Sequence, residues 1–459
     1  MKKLLVIFLV LLAVSCPASI PHAVNYEWGM LSVPENYALP NGQKQQIYWE
    51  KLKATAPGAE AIIMINGGPG MPHHSFHHQT SKGYDRDWFE ALRTHFDVYY
   101  FDQRGTGNSQ ELNWANFGSR NYRVYNAPDI CRDIEELRKS IIKKKKIAVF
   151  GESYGGMVAL SYASMFPQSV SKLVIHDSSP SNAYFNKMHV NFSNGLKALE
   201  ELLPGVEENM LTCVTMFNNG QVSNAYGYSI SANDFLTLCL PYTYSMRGQI
   251  IMATMAAQIV NEGRSDILDA ILAPAAKLSS RAVYSSLGVA LLLVQTTEML
   301  NMTDVYKGGD SDPWSQAWAI ERIFKPRLDF RADFDLTWFS AFNVIPSLGK
   351  ITAPTLVIVG ETDFICPPEY AEKMKDGIAD CRLLKVKFAA HSGFIEQHTF
   401  VVGKIRNFLL DLYPGDDDRI VPVEELRTRD LNEMVDIWFE GVTRLGLTTS
   451  FIRGSQPAE

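Results

Sequence analysis

The sequence lacks an excess of positive charge. Its 459 residues include 43 lysines and arginines against 50 aspartates and glutamates, which gives a net charge of -7. Its one lysine run, from Lys143 to Lys146, has no aromatic residues interleaved with it. A chain without a basic field has little to attract a phosphate backbone, so we expect no nucleic-acid partner.

Cysteine is also scarce, and none of the six cysteines has the CxxC or CxxH spacing of a structural zinc site. Five of them lie beyond the N-terminal segment. If the protein is oxidised on export, the spacings suggest Cys213 paired with Cys239 and Cys366 with Cys381, which leaves Cys131 alone. Buried free thiols are the alternative, because spacing does not fix connectivity.

Long apolar runs are missing except for a short one at the N-terminus. Lys2 and Lys3 precede the uncharged run from Leu4 to Val14. That run is too short to span a bilayer, but it has the length and flanks of a signal-peptide core. We therefore expect residues 1–15 to be a signal peptide, the mature chain to have no transmembrane helix, and the protein to be exported.

The cleavage site decides where an exported protein resides. Cys16 follows Ala-Val-Ser, so it is a candidate for a lipid anchor, although the usual leucine three residues before it is missing. Cleavage after Ser15, Ala18 or Ala23 is the alternative. The expected location is the periplasm, the medium or, with a lipid anchor, a bacterial membrane surface.

With 46% hydrophobic and 20% charged residues, the chain can bury a large core. Short β-branched runs alternate with helical stretches, a pattern typical of a mostly parallel sheet with helices on both faces. The predicted fold class is therefore α/β. The predicted strands are two edge strands between Trp28 and Ala54 and the runs Ala61 to Ile65, Phe96 to Phe101, Ile147 to Phe150, Leu173 to Ile175, Thr355 to Val359 and Leu383 to Phe388.

The alternation stops between residues 178 and 346, where the sequence is helical and rich in methionine, alanine and leucine. An insertion of this kind between two strands of one sheet predicts a helical cap, residues 178–346. The α/β core then consists of residues 24–177 and 347–412. Residues 413–459 are a predicted C-terminal helical extension, to which we assign no chemistry.

The predicted cap has apolar stripes at helical spacing. We interpret these stripes as helix packing rather than membrane contact, because the longest apolar run is too short to span a bilayer. The stripes are Ile250, Ile251, Met255 and Ile259, and the run from Leu287 to Val294.

The segment Gly151-Glu-Ser153-Tyr-Gly155-Gly156 follows a predicted strand and precedes a helix. This is the context of a nucleophile elbow, in which a sharp turn lifts a serine out of the sheet at a helix N-terminus. Side chains two positions before and after the serine would collide with the turn, so glycine is required there. Ser153 is the candidate nucleophile, and an ordinary glycine turn is the alternative.

A second glycine-rich segment, Ile65-Asn-Gly67-Gly68-Pro69-Gly70, ends an earlier predicted strand. Glycine lets the backbone approach a ligand closely, and proline fixes the shape of the loop. Such a loop suits a rigid N–H donor for an oxyanion. A tight Gly-Pro turn without chemistry is the alternative.

A serine nucleophile needs a histidine base that is oriented by a carboxylate. After this serine motif the acid and then the histidine are expected along the chain. Asp363 lies in the loop after a late strand, with Glu361 as its rival. His391 follows the last strand, whereas the other candidate, His398, lies within the final helix. The predicted catalytic residues are thus Ser153, Asp363 and His391.

Together these segments resemble the proline iminopeptidase branch of the α/β-hydrolases, a family of serine peptidases. The resemblance extends from about Trp28 to Leu412, and its specific part is the combination of Gly-Gly-Pro-Gly with Asp-Gln-Arg-Gly. The segments that carry it are Asn66 to Gly70, Asp102 to Ser109, Gly151 to Gly156, Gly360 to Asp363, and His391.

The resemblance implies an α/β-hydrolase fold and an aminopeptidase that releases an N-terminal residue, often proline, through an acyl-enzyme at Ser153. It implies that His391 is the base and Asp363 its partner, with oxyanion-hole donors near Gly68 and at the Tyr154 N–H. The partners would be peptide substrates with a free N-terminus. No metal and no organic cofactor is implied.

The sequence departs from the family pattern in three places. The usual histidine before Gly-Gly-Pro-Gly is Asn66. The helical insertion is longer than in compact members and resembles that of large exported members, some of which remove di- or tripeptides. The cap motif that would hold the substrate ammonium is present only loosely, with Trp318 and Glu321 as candidates. A surface helical glutamate is the alternative for Glu321.

Two other groups have residue types that are common at functional sites. Four histidines past the glycine loop form i, i+4 pairs that could hold a metal, but no acidic or cysteine cluster completes a site, so we expect them to line the cleft or face solvent. These are His73, His74, His77 and His78. Asp102 and Arg104 are interpreted as bracing the glycine loop through a buried ion pair.

Two other functions fit much of the same pattern. A carboxylesterase or lipase acting on small acyl esters would use the same triad and oxyanion hole without an ammonium anchor. The other is a non-catalytic binding protein on a hydrolase scaffold, because a sequence alone does not place the three residues in contact.

Overall fold

The computed structural model of the chain describes most of the predicted α/β core and about half of the predicted cap. The described residues are 26–69, 73, 92–110, 112, 122–181, 188–276, 343–391 and 396–412. Several predictions lie outside them: the signal peptide 1–15, Cys16, His74, His77, His78, the run from Leu287 to Val294, Trp318, Glu321 and the extension 413–459.

The described strands form one eight-stranded sheet in the order β1-β2-β4-β3-β5-β6-β7-β8. Strands β1 and β2 pair antiparallel with each other, and β2 pairs antiparallel with β4; every later pair is parallel. The strands are β1 (Tyr26–Pro34), β2 (Lys44–Leu52), β3 (Glu60–Ile65), β4 (Phe96–Phe101), β5 (Ile147–Glu152), β6 (Val170–His176), β7 (Thr355–Gly360) and β8 (Cys381–Val386).

Helices connect the parallel strands and fill the described part of the insertion between β6 and β7. They are α1 (Ala127–Leu137), α2 (Tyr154–Met165), α3 (Met188–Leu199), α4 (Val206–Asn218), α5 (Ala232–Cys239), α6 (Met246–Ala257), α7 (Asp266–Ala276), α8 (Pro368–Gly377) and α9 (His398–Leu409). The predicted α/β fold class with a mostly parallel sheet is confirmed.

The central strands read as continuous apolar runs because both faces of the sheet are covered. Successive residues of a strand point to opposite faces, so Ile63 packs with α1 and α2, whereas Ile62 packs with α9. Strand β7 is buried along its whole length. The predicted strands from Ala61 onward overlap the observed ones because burial on both faces makes them rich in apolar residues, although β4 and β8 each contain a single β-branched residue.

Helices α3 to α7 make up most of the described part of the predicted cap, and residues 219–231 between α4 and α5 form turns and loop. Phe217 of α4 stacks on Phe235 of α5 at 4.5 Å between ring centroids, so these helices share an apolar core. The proposed boundaries of the cap and of the two core segments stay a prediction. None of the helices that the structure describes combines the length and apolar character needed to cross a membrane.

The interpretation of the stripe in α6 as core is correct for two of its residues and wrong for one. Met255 and Ile259 are buried. Ile251 is partly buried against the core, and Ile250 is 38% exposed. The stripe is broader than the face that α6 presents to its neighbours, so its outermost residue reaches solvent.

The predicted disulfides are not formed. The five cysteines within the described residues are all buried free thiols, as in the alternative stated above: Cys131, Cys213, Cys239, Cys366 and Cys381. Burial raises the pKa of the Cys239 thiol well above its ordinary value, and the neighbouring Cys213 raises it further. Burial also raises the pKa of the Cys213 and Cys366 thiols. Buried thiols of this kind behave as small apolar core residues.

The prediction of a buried ion pair between Asp102 and Arg104 is wrong: Arg104 forms a buried ion pair, but not with Asp102. Arg104 instead pairs with Asp133 of α1, with Nε donating to Oδ2 at 2.7 Å and Nη2 to Oδ1 at 2.6 Å. Its Nη1 also donates to the carbonyls of Glu35 and Val124. The pair thus ties α1 to the turn after β1, where Tyr37 donates a further hydrogen bond to Asp133.

Removal of the Asp133 carboxylate should destabilise the fold. In Asp133→Ala the Arg104 guanidinium stays buried without its counter-ion, which should lower the free energy of unfolding by about 3–5 kcal/mol. Urea denaturation measures the change. In the matched control Glu372→Ala, which removes the exposed partner of Lys385, the loss should be no more than about 1 kcal/mol. Equal losses in the two variants would contradict the structural role of the buried pair.

Candidate active site

The turn between β5 and α2 has the backbone geometry of a nucleophile elbow. Ser153 has φ of 53° and ψ of -122° and immediately precedes the first residue of α2. A positive φ at a non-glycine residue is strained, and it persists here because the surrounding structure fixes the turn. The Ser153 N–H donates to the carbonyl of His176 at the end of β6, and the Ser178 hydroxyl donates to the Ser153 carbonyl.

The three glycines of the motif are required by close contacts. A Cβ at Gly151 would overlap the carbonyl of Gly155, and a Cβ at Gly155 would overlap the carbonyl of Ile65. At Gly156 a Cβ would lie 2.5 Å from the Cβ of Ser178. The turn is therefore packed backbone against backbone between β3 and β6, and the predicted reason for the glycines is confirmed.

The three predicted catalytic side chains form one hydrogen-bonded row. Ser153 Oγ lies 3.0 Å from His391 Nε2, and His391 Nδ1 lies 2.8 Å from Asp363 Oδ2. The three residues belong to three loops at the carboxyl ends of β5, β7 and β8, which meet at one edge because those strands are parallel. The geometry is that of a serine, base and acid triad. Their catalytic roles remain a prediction.

Asp363 is held in place by its second carboxylate oxygen. Oδ1 accepts the backbone N–H groups of Ile365 at 2.7 Å and Cys366 at 2.8 Å, which leaves Oδ2 directed at His391. The rival acid, Glu361, is half-buried, and burial raises the pKa of its carboxyl; the charges acting on it come from Lys387, Glu201 and Lys385. Asp363 is thus the acid in contact with the base.

The imidazole of His391 is buried, and its charge state is set by its neighbours. Burial lowers the pKa of His391, but the contact with Asp363 outweighs burial, and the nearby Glu152 carboxylate adds to it. The pKa of His391 therefore lies above its ordinary value. A histidine in this environment is a stronger base than a free imidazole, which suits the acceptance of a proton from a hydroxyl.

A second histidine, His176, lies next to the base but stays neutral. Burial, and to a lesser extent the charge of His391, lower the pKa of His176 to about 3. Its Nε2 lies 3.2 Å from Oδ2 of Asp177, whose Oδ1 accepts the N–H of Gly360. A neutral His176 adds no positive charge beside His391, so the influence of Asp363 on the base is not offset.

The glycine loop after β3 lies against the nucleophile. A Cβ at Gly67 would be 3.1 Å from Ser153 Cβ and 3.6 Å from Oγ, so the loop backbone is in contact with the serine. The sequence indicated Gly68, the next residue, as the oxyanion donor together with the Tyr154 N–H at the start of α2. The structure brings this loop and the first turn of α2 to the same side of Ser153, and the donor roles of Gly68 and Tyr154 remain predictions.

Asp102 supports this loop, although not through an ion pair with Arg104. Its Oδ1 accepts the backbone N–H of His73 at 2.6 Å, and its Oδ2 accepts that of Asn108 at 2.7 Å. The His73 ring stacks on Tyr100 with 3.8 Å between centroids. The bracing role that the sequence suggested for Asp102 is thus present, with main-chain N–H groups as the partners.

Sequence reasoning missed the residues that approach the site from other elements. Tyr244, just before α6, packs edge-on against His391 with 5.2 Å between ring centroids. Glu396 accepts the N–H of Ala390. A short-range motif signals neither residue, because both contacts depend on how distant segments pack. Only the position of Glu396 soon after the histidine could have drawn attention to it.

Comparisons with known proteins agree with this geometry. Residues 60–206 match the family described as alpha/beta hydrolase fold, and residues 341–419 match one described as TAP-like protein. The chain is 25% identical over 353 residues to the proline iminopeptidase PfmaB of Pestalotiopsis fici, covering 76% of this chain and 92% of that relative. It is 30% identical over 129 residues to the proline iminopeptidase of Thermoplasma volcanium, covering 28% and 38%.

Among solved structures, the proline iminopeptidase of Mycobacterium smegmatis aligns at 18% identity with a TM-score of 0.46, covering 84% of this chain and 98% of that one. The family match over β3 to α3 and the order of the strands define the class, and the chain has the α/β-hydrolase fold. Within this class its sequence is similar to proline iminopeptidases, so the resemblance seen in the motifs is confirmed.

Introduction of a methyl group at Gly67 should impair the nucleophile. In Gly67→Ala the new Cβ would press on Ser153 Cβ and on the Glu152 carbonyl at 3.3 Å, which should displace the serine or the loop. These contacts require a shift of a few tenths of an ångström. Since a misplacement of roughly 1 Å costs about 100-fold, we expect the labelling rate with a fluorophosphonate probe to fall by about 3–10-fold. The control is Gly403→Ala in α9, where the Cβ would meet nothing within 4 Å. Similar rates in both variants would contradict the proximity of the loop.

Proposed function

We propose that this α/β-hydrolase is a serine aminopeptidase that releases N-terminal residues from peptides through an acyl-enzyme at Ser153. The observation that carries the proposal is the row from Ser153 Oγ through His391 to Asp363, with contacts of 3.0 and 2.8 Å. Similarity to proline iminopeptidases over most of the chain supports the choice of peptide substrates.

In the proposed reaction Ser153 Oγ attacks the carbonyl carbon of the first peptide bond while His391 Nε2 takes the hydroxyl proton. The tetrahedral intermediate carries a negative oxygen, for which the Tyr154 N–H and the loop at Gly67 and Gly68 are the candidate donors. His391 then gives its proton to the leaving amine, and the peptide bond breaks. Water attacks the acyl-enzyme in the same way and releases the N-terminal residue as an acid.

Asp363 has two parts in this proposal. It fixes the His391 ring so that Nε2 points to the serine, and its negative charge stabilises the imidazolium that forms during acylation. The buried, neutral His176 supports the same step because it leaves the charge of Asp363 uncompensated.

The proposal also includes export of the enzyme by the predicted signal peptide, residues 1–15.

The pH dependence should report the base. His391 must be unprotonated to accept a proton, so the labelling rate with a fluorophosphonate should fall as the pH decreases through the pKa of His391, which lies above its ordinary value of about 6.5. In Asp363→Asn the negative charge that raises the pKa of His391 is lost, so the midpoint of the pH profile should move to lower pH. The labelling rate at pH 8 should fall by about 10⁴-fold.

The control for this experiment is Glu361→Gln, which removes the other carboxylate of the same loop. We expect its pH profile to match that of the unchanged protein, because Asp363 rather than Glu361 contacts His391. A midpoint that stays in place in Asp363→Asn, or one that moves equally in the control, would show that Asp363 does not set the charge of the base.

A substrate panel tests the aminopeptidase proposal. Chromogenic amides of proline, alanine, a dipeptide and a tripeptide should be cleaved when their N-terminus is free and should resist cleavage when it is acetylated. Ser153→Ala should abolish the activity. Cleavage of blocked amides or of simple acyl esters at equal or higher kcat/KM would favour the esterase alternative. Absence of probe labelling in a folded protein would favour a binding protein.

A further inference from the structure

A buried carboxylate, Glu396, lies behind the proposed base and is used by none of the proposed steps. It is 5% exposed and precedes α9. Its Oε2 accepts the N–H of Ala390 at 2.8 Å, and its Oε1 accepts the N–H of Met246 in a short hydrogen bond. A buried carboxylate that accepts two main-chain N–H groups forms strong, charge-assisted hydrogen bonds.

The first of these contacts acts on the backbone that carries the base. The Ala390 N–H belongs to the peptide unit between Ala389 and Ala390, which immediately precedes the peptide unit of His391, so this contact restrains the backbone that leads into the base. The carbonyl of the preceding residue, Ala389, is held from the other side by the N–H and the hydroxyl of Thr362, at 3.0 and 2.9 Å. Glu396 therefore completes the set of contacts that places the imidazole.

The second contact reaches into the helical insertion. Met246 is the first residue of α6, where main-chain N–H groups have no partner within the helix and the helix dipole favours a negative charge. Ser245 caps the same terminus by accepting the N–H of Gly248 at 3.0 Å. Glu396 thus acts as a second cap, supplied by a distant part of the chain.

The same end of α6 contacts the other parts of the site. Gln249 Nε2 donates to the carbonyl of Thr362 at 2.7 Å, next to Asp363. The ring of Tyr244 packs on His391. The segment from Tyr244 to Gln249 therefore touches the loops of both the acid and the base, and Glu396 joins that segment to the base loop.

We propose that Glu396 is a positioning residue that holds His391 in line with Ser153 and couples its placement to helix α6 of the insertion. This inference rests on the proposed role of His391 as base. The hydrogen bonds of Glu396 within the described residues go to the main-chain N–H groups of Ala390 and Met246, so it acts through the backbone of Ala390. Its expected effect is on the chemical step rather than on the binding of substrate.

Keeping a charge at this position has a cost, which argues against an incidental contact. Burial, together with the charge of Asp363, raises the pKa of Glu396 to about 7 against the lowering effect of the N–H groups of Ala390 and Met246. A neutral apolar side chain of similar volume would avoid the cost of burying a charge. It would, however, leave the N–H groups of Ala390 and Met246 without an acceptor.

The first experiment replaces the carboxylate in the full-length chain. Glu396→Gln keeps the volume but directs an amide NH2 at one of the two N–H groups, so one contact is lost. We expect the rate of fluorophosphonate labelling, and kcat for a cleaved amide, to fall by about 10–100-fold with KM nearly unchanged. The melting temperature is measured in parallel so that rates are compared between folded proteins.

Gln397→Met is the matched control, because Gln397 is the adjacent buried residue and its Nε2 donates to the Lys387 carbonyl at 2.8 Å. That change removes a hydrogen bond near the base loop without touching Ala390 or Met246. We expect its labelling rate to equal that of the unchanged protein even if its stability falls. Equal labelling rates in Glu396→Gln and Gln397→Met would overturn the proposal.

A second pair of variants decides the matter if Glu396→Gln does not fold. Proline is well accepted at the first position of a helix, so Met246→Pro removes the N–H that Glu396 accepts while α6 remains. Met246→Ala removes the same side chain but keeps the N–H. We expect Met246→Pro to label more slowly than Met246→Ala by several fold, and equal rates would refute the coupling to α6.

Failure of this inference can be told apart from failure of the proposed function. If the unchanged protein is labelled and Ser153→Ala is not, the serine and its base are active whatever the Glu396 variants do. If the unchanged protein is not labelled, the proposed role of His391 is lost, and the role of Glu396 in positioning it is overturned as well.

Discussion

The site depends on a close approach of backbones at the end of the sheet. The turn after β5 carries Ser153 with a positive φ, and it fits only because Gly155 lies against the carbonyl of Ile65 at the end of β3. The same packing brings Gly67 against the serine side chain. One steric constraint therefore places the nucleophile and the glycine loop together, and no side chain at Gly155 could be accommodated without moving one of them.

The parallel arrangement of strands β5 to β8 accounts for the positions of Asp363 and His391 beside Ser153. Strands β5, β6, β7 and β8 are neighbours, so the loops at their carboxyl ends open on the same edge. Asp363 and His391 reach Ser153 from loops after β7 and β8, and Asp177 links the ends of β6 and β7 through the N–H of Gly360. The fold thus brings residues that are far apart in the sequence into contact, because each lies in a loop at the same edge of the sheet.

Sequence reasoning succeeded where the determinant is local and failed where it depends on tertiary packing. Ser153 was predicted because its glycine pattern and its strand-to-helix context are local in the sequence, although two of the glycines are required by contacts with β3 and with Ser178. The order of acid and base along the chain was enough to identify Asp363 and His391. The partner of Arg104 was missed because Asp133 comes from α1, and the free thiols could not be distinguished from disulfides by spacing. The contact between Gly67 and Ser153 was not predicted, because a glycine pair in a loop does not show which member lies against the serine. The donor role of Gly68 stays a prediction.

The charges around His391 and the contacts that orient its ring together connect the proposed base to helix α6 of the insertion. His391 is flanked by the carboxylate of Asp363, while His176 is kept neutral by burial, so the local field favours a protonated imidazole during acylation. That field helps only if the ring points at Ser153, and its orientation depends on backbone contacts of the preceding residues. Because α6 takes part in those contacts through Met246 and Gln249, a displacement of α6 would change the alignment of His391. The described part of the insertion is therefore linked by hydrogen bonds to the loops that carry Asp363 and His391, and a shift in the position of α6 is coupled to the geometry of the row.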